Sequence, residues 1–128
     1  MNVELLAYCP QKFKQILDLD NISYQDIMYS LQVDINRDSI FKAGEGTGKS
    51  GSFFFFSHDD RFLIKTLKGQ ERQTMVNMID DFIEHIARSN NKSLIARIYG
   101  MFTIKTEKLY PIDFIIMQNT SKLLRKSN

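Results

Sequence analysis

The apolar residues of this chain follow two spacings, one typical of helices and one typical of strands. Helical spacing begins after Pro10 and returns behind Ser23, which forms a capping-box pattern with Asp26 three residues later. The longest helical stretch covers residues 70–88, where an apolar stripe lies opposite acidic and amide side chains. The pattern predicts two short N-terminal helices and one long amphipathic helix.

The strand-like runs are shorter and richer in aromatic and β-branched side chains. Residues 53–56 and 62–64 flank a segment of turn formers, so they predict a β-hairpin. Residues 94–105 and 112–117 predict two further strands, and we expect residues 33–43 to include a first strand. The order of elements predicts a single α+β domain over residues 1–128, an antiparallel sheet with one long packed helix.

The second strand of the hairpin carries a lysine, Lys65. We expect His58 and Asp59 to form a two-residue turn. With that turn Ser52 lies opposite Lys65, whereas a turn one residue longer puts Phe53 there. A lysine on a buried strand is costly unless an anion meets its ammonium, and a nucleotide phosphate would do so.

A glycine-rich segment precedes the hairpin. Its glycines are Gly44, Gly46, Gly48 and Gly51. Glycine can adopt positive φ and lets backbone approach a phosphate closely. Residues 43–50 also nearly match the P-loop pattern, but a P-loop opens a helix, and the four phenylalanines that follow favour a strand. The order of strand, glycine loop, strand and lysine is typical of kinase-like ATP sites.

Composition limits the class of protein. No apolar run approaches the ~20 residues of a membrane span, and the N-terminus lacks the pattern of a secretory signal. A net charge of +2 with dispersed basic residues indicates no nucleic-acid partner. Cys9, the only cysteine, is expected to be a buried side chain in a reducing, cytoplasmic compartment. We expect His58 in a turn and His85 on a helix surface, and no His/Cys cluster suggests zinc.

Two motifs carry a family resemblance. Residues 48–54 (GKSGSFF) and 60–66 (DRFLIKT) closely resemble the strands GKSGSFF and RFIIKT of the phosphatidylinositol phosphate kinase family, of the phosphatidylinositol 4-phosphate 5-kinase type. Tyr99 and Gly100 are similar to its FYG strand, and residues 114–119 to its FVIMGN hinge strand. The resemblance covers nearly the whole chain and implies the N-terminal, ATP-binding lobe of a kinase-like fold.

That resemblance also implies which residues bind the nucleotide. Lys65 would hold the α- and β-phosphates of ATP, and Glu71 would form the ion pair that orients the lysine. A carboxylate in the first turn of a helix is also favoured by the helix dipole, so a purely local role is the alternative for Glu71. The remaining implied residues are Lys49, Ser50, Gly51 and Ser52 over the phosphates, and Met117, Gln118 and Asn119 at the adenine pocket. A solvated side chain is the alternative for Lys49.

The chain also departs from the family. The family's second lobe carries a DLKGS-type stretch, a catalytic aspartate, a metal-binding aspartate and a lipid-selecting loop, and we find none of these in the sequence. We therefore expect no catalytic residue and no metal ligand here, with the Mg²⁺ that accompanies ATP held by a C-terminal lobe that is absent.

Two functions remain open on this basis. The first is the ATP-binding lobe of a phosphatidylinositol phosphate kinase, which transfers the γ-phosphate of ATP to an inositol hydroxyl of a phosphoinositide when a second lobe completes it. The second is a non-catalytic scaffold, dimerisation partner or structural subunit. For the chain alone we expect weak or undetectable ATP binding and no lipid kinase activity.

The same resemblance bears on partners and location. Family members dimerise through this lobe, which implies a homodimer, and the lipid substrate implies peripheral association with a membrane. The basic cluster at residues 122–126 is expected to be a solvated tail, with a contact to anionic lipid as the alternative.

Overall fold

A computed structural model describes residues 3–45, 53–89, 96–107 and 110–120. Within these ranges the chain forms five strands and four helices. In chain order they are β1 (Val3–Tyr8), α1 (Pro10–Leu19), α2 (Tyr24–Ser30), α3 (Arg37–Glu45), β2 (Phe54–Phe56), β3 (Phe62–Thr66), α4 (Glu71–Arg88), β4 (Ile98–Thr106) and β5 (Ile112–Gln118). The α+β class, the antiparallel sheet and the long helix are confirmed, and the arrangement is consistent with a kinase N-terminal lobe.

The sheet has the strand order β1-β4-β5-β3-β2, and every neighbouring pair is antiparallel. The central strands β4 and β5 are largely buried, whereas β1 and β2 form the two edges. β1 was not expected from the sequence, because apolar and polar residues alternate only weakly in this segment. In the sheet its residues are half-buried or exposed. It pairs with β4 along its whole length, from Val3 opposite Thr106 to Tyr8 opposite Met101.

The first two helices form where their end signals predict. Pro10 opens α1, and the Ser23 side chain accepts a hydrogen bond from the Asp26 N–H while the Asp26 carboxylate accepts one from the Ser23 N–H. These reciprocal bonds satisfy donors that a helix start otherwise leaves unpaired. Cys9, which caps α1 with φ 48°, is half-buried rather than buried. Of the histidines, His58 lies in a turn and His85 is exposed on α4, as expected.

The strand expected within residues 33–43 is wrong, because the chain forms helix α3 there. Ile40 and Ala43, three residues apart, both face the core and are 4% and 5% exposed. Asp38 in the first turn and Lys42 in the last turn suit the helix dipole. Gly44 therefore belongs to a helix and not to the glycine-rich loop, while residues 46–52 lie outside the described ranges.

The hairpin formed by β2 and β3 has a longer turn than predicted. Phe54 lies opposite Lys65, and the Ser57 N–H donates to the Phe62 carbonyl at 2.9 Å. Neither predicted register is correct, whether with Ser52 or with Phe53 opposite the lysine. Residues two apart on a strand share a face, and Phe54 is two positions from Ser52. Lys65 therefore lies on the same face of the hairpin as the two-residue turn predicted. The strand at residues 54–56 also favours the kinase-like interpretation over a P-loop.

A polar network explains the longer turn. The Asp59 carboxylate accepts hydrogen bonds from the Ser30 and Ser57 hydroxyls, both at 2.6 Å. The Asn36 side-chain oxygen accepts one from the His58 N–H at 3.0 Å. Ser30, Asn36 and Ser57 are buried, so the turn is fixed by side chains that arrive from α2 and the start of α3.

The two faces of the sheet are packed differently. Phe62, Ile64 and Thr66 on β3 are buried, together with core residues from α2 and α3, whereas Leu63 and Lys65 on the opposite face are only half-buried. Helix α4 packs its predicted stripe into the core through Ile79. In the described ranges no helix is both long enough and apolar enough to cross a bilayer.

Candidate functional site: a cleft between the sheet and the long helix

The half-buried face of the sheet and the start of α4 enclose a cleft of about 640 Å³, which we call the lysine cleft. Its apolar wall comes mainly from strands β3, β4 and β5, and its polar groups come from β3 and α4. The lining residues are Leu63, Leu67, Met75, Ile98, Ile115, Met117 and Phe54, with Lys65, Gln70, Glu71 and Thr74. A volume of this size is in the range of small-molecule and cofactor sites, roughly 300–1,000 Å³.

Strand pairing brings these residues together. Leu63 lies opposite Met117, and Lys65 lies opposite Ile115. Side chains two apart on a strand share a face, so Leu63 and Lys65 on β3 project with Ile115 and Met117 on β5. Ile98 on β4 is also opposite Met117 and extends the wall.

The positively charged group of the cleft lining is the ammonium of Lys65. It lies 5.7 Å from the centre of the Phe54 ring, within the range of a cation–π contact. Among the described residues no carboxylate forms an ion pair with it. Among the described residues, the contact recorded for the Lys65 ammonium is therefore the face of the Phe54 ring.

Glu71 lines the cleft but makes a local contact. Its Oε1 accepts a hydrogen bond from the Lys68 N–H at 2.7 Å, while the Glu71 N–H donates to the Lys68 carbonyl at 2.9 Å. The carboxylate thus stabilises the start of α4, which is the alternative role that the sequence left open. No ion pair between Glu71 and Lys65 occurs in the described structure, so that pairing stays a prediction.

Lys68 adds a second positive charge beside the cleft. Its Nζ is shielded from solvent and has no hydrogen-bond partner among the residues that the structure describes. Lys68 directly follows Leu67 of the cleft lining and shares its backbone contacts with Glu71. The segment between β3 and α4 thus carries one lysine charge next to the Glu71 carboxylate.

The predicted hinge residues have different roles. Met117 lines the cleft. The Gln118 N–H donates to the Arg97 carbonyl at 2.8 Å, and the Asn119 amide donates to the Asp60 carbonyl in the hairpin turn at 2.8 Å. Gln118 and Asn119 do not belong to the lining, and Asn119 is buried. They tie the end of β5 to its neighbours.

A cluster with two buried members, Arg97 and Tyr99, lies beside the end of β5. Arg97 Nε is 3.5 Å from Asp20 Oδ2, and the Tyr99 hydroxyl donates to the same oxygen at 2.7 Å. Burial raises the pKa of Tyr99, and the hydrogen bond to Asp20 raises it further. Because the Arg97 carbonyl accepts a hydrogen bond from the Gln118 N–H, this cluster fixes the position of the end of β5.

Some predicted site residues lie outside the described ranges, and some residues of the cleft were not predicted. The predicted phosphate loop, Lys49, Ser50, Gly51 and Ser52, lies outside the described residues. Sequence reasoning missed Phe54 and Ile98, which reach the cleft only through sheet pairing. Leu63 and Ile115 could have been found, since each lies two residues from a predicted site residue on the same strand. No group of three potential metal-ligating side chains occurs within the described ranges.

Several known proteins are similar in sequence to this chain. A family model described as phosphatidylinositol-4-phosphate 5-kinase matches residues 35–126. A probable phosphatidylinositol phosphate kinase of Dictyostelium discoideum is 36% identical over 113 residues, which cover 88% of this chain and 16% of that protein. Phosphatidylinositol 4-phosphate 5-kinase 8 of Arabidopsis thaliana is 35% identical over 112 residues, and its3 of Schizosaccharomyces pombe, a phosphatidylinositol 4-phosphate 5-kinase, is 33% identical over 112.

These matches cover most of this chain but a small part of each relative. Each of the last two covers 88% of this chain but 14% of the relative, so the chain spans a small part of the curated relatives it matches. The match to the family model covers most of the chain and includes β2, β3, α4, β4 and β5. These strands and this helix also build the lysine cleft. The chain therefore belongs to the phosphatidylinositol-4-phosphate 5-kinase family.

Proposed function

We propose that the lysine cleft binds ATP and that this chain is the ATP-binding lobe of a phosphoinositide kinase. The observation that carries the proposal is the ammonium of Lys65, which lies in a cleft and has no carboxylate partner among the described residues. A charge in such a place is stabilised when an anion joins it, and a charge-assisted hydrogen bond to phosphate would supply this stabilisation.

The remainder of the cleft suits the other parts of a nucleotide. Met117, Leu63 and Ile98 offer an apolar wall on which a purine ring can pack. Lys65 and the segment around Lys68 lie toward α4, where the phosphates would be placed. A site of apolar walls with a few convergent polar groups is typical of cofactor binding.

ATP, with its Mg²⁺, supplies the phosphoryl group that the reaction transfers. The proposed acceptor is an inositol hydroxyl of a phosphoinositide at a membrane surface facing the cytoplasm. The residues of this chain bind and orient the nucleotide, with Lys65 on the phosphates and Met117 beside the base. We assign the catalytic base and the Mg²⁺ ligands to the part of the relatives that this chain does not match.

Nuclear magnetic resonance of the whole chain, titrated with ATP to millimolar concentration, tests the proposal. Because we expect weak binding, backbone amide shifts are a better readout than activity. Lys65, Leu63 and Met117 should shift together with one binding constant. Lys65→Met should weaken binding about tenfold or more, the loss expected for one hydrogen bond to a charged group.

A matched control lies on the same sheet. Lys105 is an exposed lysine on β4, opposite Glu4, and Lys105→Met removes the same charge away from the cleft. This variant should bind ATP as the unmodified chain does. Equal weakening by both variants would show only general attraction of the anion to a basic protein. Unchanged cleft amides at millimolar ATP would overturn the proposal and favour a non-catalytic scaffold.

A further inference from the structure

We propose that Asp113 is a positioning residue that, through Arg72, holds the first turn of α4 against the sheet and thereby fixes the wall of the lysine cleft. The inference rests on the proposed function for its consequence on nucleotide binding. Its structural part stands on a closed ring of contacts that joins α4 to three strands.

The ring consists of four side chains. Arg72 Nη1 donates to the Tyr8 hydroxyl at 3.1 Å, and the Tyr8 hydroxyl lies 2.8 Å from Thr103 Oγ1. Thr103 in turn donates to Asp113 Oδ1 at 2.5 Å, and the same carboxylate oxygen lies 3.5 Å from Arg72 Nη1. Since Thr103 gives its proton to Asp113, it accepts from Tyr8, so the hydrogen bonds run from Arg72 through Tyr8 and Thr103 to Asp113. The direct Arg72–Asp113 ion pair also runs from donor to carboxylate and closes the ring.

Stacking adds to these hydrogen bonds. The Arg72 guanidinium lies 5.3 Å from the centre of the Tyr8 ring, within cation–π range. An exposed ion pair alone contributes little to stability, but a network with directional hydrogen bonds and a planar guanidinium is stronger than its separate parts. The Asp113 side chain is only 24% exposed, compared with 44% for Arg72. Asp113 is therefore the shielded centre of the ring.

The ring adjoins the lysine cleft on two sides. Asp113 lies two residues before Ile115 on β5, so its side chain is on the same face as the lining residue Ile115. Its carbonyl accepts the Leu67 N–H at 2.8 Å, and Leu67 lines the cleft. Arg72 directly follows Glu71 on α4. A shift of Arg72 would therefore also change the position of Glu71 and the start of α4 relative to Lys65.

The ring also explains a polar residue in an apolar strand. β5 is buried or half-buried along its length, and a carboxylate among apolar side chains is unfavourable without partners. Thr103 and Arg72 supply those partners from the neighbouring strand and from the helix. Asp113 thus lies where Arg72 of α4 contacts the sheet.

Helix α4 carries a second ion pair that serves as the matched control. Lys12 on α1 lies 2.9 Å from Asp80 Oδ1, and both side chains are exposed, at 45% and 73%. Asp80 ties the same helix to another element more than two turns beyond Arg72. Asp113→Asn and Asp80→Asn therefore remove one carboxylate charge each, beside the cleft and away from it.

Amide hydrogen exchange is the structural readout. The Thr74 N–H donates to the Gln70 carbonyl at 3.0 Å and reports on the first turn of α4. In Asp113→Asn the Thr74 amide should exchange at least about threefold faster, and ATP should bind at least about threefold more weakly, the fold-change for loss of one partly exposed ion pair. Asp80→Asn should leave both quantities unchanged.

A double-variant cycle separates a shared contact from two independent effects. Arg72→Gln should reproduce the effects of Asp113→Asn, and the combined variant should be no worse than either single one. Arg72 is exposed on the helix surface, so Arg72→Gln keeps the test possible if Asp113→Asn does not fold. Additive effects would overturn the ring as one unit.

The outcomes keep this inference apart from the proposed function. If the unmodified chain binds ATP and Asp113→Asn changes neither exchange nor affinity, the inference fails and the function stands. If the unmodified chain does not bind ATP, the function fails, and the Thr74 exchange rate alone decides whether Asp113 positions α4. Faster Thr74 exchange in Asp80→Asn to the same degree would also contradict the inference.

Discussion

The ammonium of Lys65 lies 5.7 Å from the centre of the phenyl ring of Phe54, the residue directly across the hairpin. Phe54 is 52% exposed, whereas Phe62, which lies on the opposite face, is 2% exposed and packs edge-on against Tyr99. The hairpin thus holds one aromatic residue for the core and another for the lysine cleft. The contact holds the ammonium in the cleft, where no carboxylate of the described residues forms an ion pair with it.

This division of roles predicts unequal effects on stability. Phe62→Ala should reduce the free energy of unfolding by about 3–5 kcal/mol, because it opens a cavity in the core. Phe54→Ala should cost about 1 kcal/mol, the loss of a cation–π contact and some exposed apolar area. Urea unfolding of both variants measures the difference. Similar losses would show that Phe54 belongs to the core.

The hairpin turn predicts a pH dependence. Burial raises the pKa of Asp59, but hydrogen bonds from Ser30, Ser57 and the Arg61 N–H outweigh it and hold the pKa below its ordinary value of 3.8. A lowered pKa contributes stability that is present above the ordinary value and is lost as the pH falls through the value in the folded protein. The loss should therefore occur below about pH 4.

Substitution of this carboxylate tests the sign. Asp59→Asn cannot titrate, so its free energy of unfolding should fall less between neutral and acid pH than that of the unmodified chain. Ser30→Ala, which removes one donor to the carboxylate, should give an intermediate slope. Urea unfolding at a series of pH values measures all three. A steeper acid loss in Asp59→Asn would contradict the assignment.

Substitution of two glycines, Gly100 and Gly69, should reduce stability for different physical reasons. A Cβ at Gly100 would lie 2.7 Å from the Phe102 ring and 3.4 Å from the Ile116 side chain, so Gly100→Ala should destabilise by about 1–3 kcal/mol through overpacking. Gly69 has open space around it but a φ of +52°, so Gly69→Ala should cost roughly 1–2 kcal/mol through backbone strain alone.

A second substitution at each site separates the two mechanisms. Gly69→Asn should recover most of the loss, because asparagine tolerates the left-handed conformation, whereas no larger residue should be tolerated at Gly100. Thermal unfolding of the variants is the measurement. If Gly100→Asn were as stable as Gly69→Asn, close packing at Gly100 would not be the cause.

Local signals made part of the fold predictable. Pro10, the Ser23 and Asp26 pair and the regular stripe of α4 are sequence-local, and each gave the correct element. Helix α3 was missed because its core contacts, Ile40 and Ala43, span a single turn. The hairpin register failed because the turn is held by residues distant in sequence, such as Ser30 and Asn36.

The candidate site, like the fold, could be predicted only in part. The family resemblance supplied Lys65, Glu71 and Met117, all of which line the cleft. It also placed Gln118 and Asn119 in an adenine pocket, which stays a prediction. In the structure the Gln118 N–H donates to the Arg97 carbonyl and the Asn119 amide donates to the Asp60 carbonyl of the hairpin turn. Sheet register and side-chain packing decide such details, and neither can be obtained from motif spacing.

Labelling with an acyl phosphate of ATP tests the central claim most directly. Such a probe acylates the lysine nearest to the bound phosphates, and mass spectrometry of peptides identifies the site. We expect Lys65 to be labelled ahead of the exposed lysines such as Lys105, and excess ATP to suppress labelling at Lys65 but not at Lys105. Uniform labelling of surface lysines, with no protection of Lys65 by ATP, would contradict it.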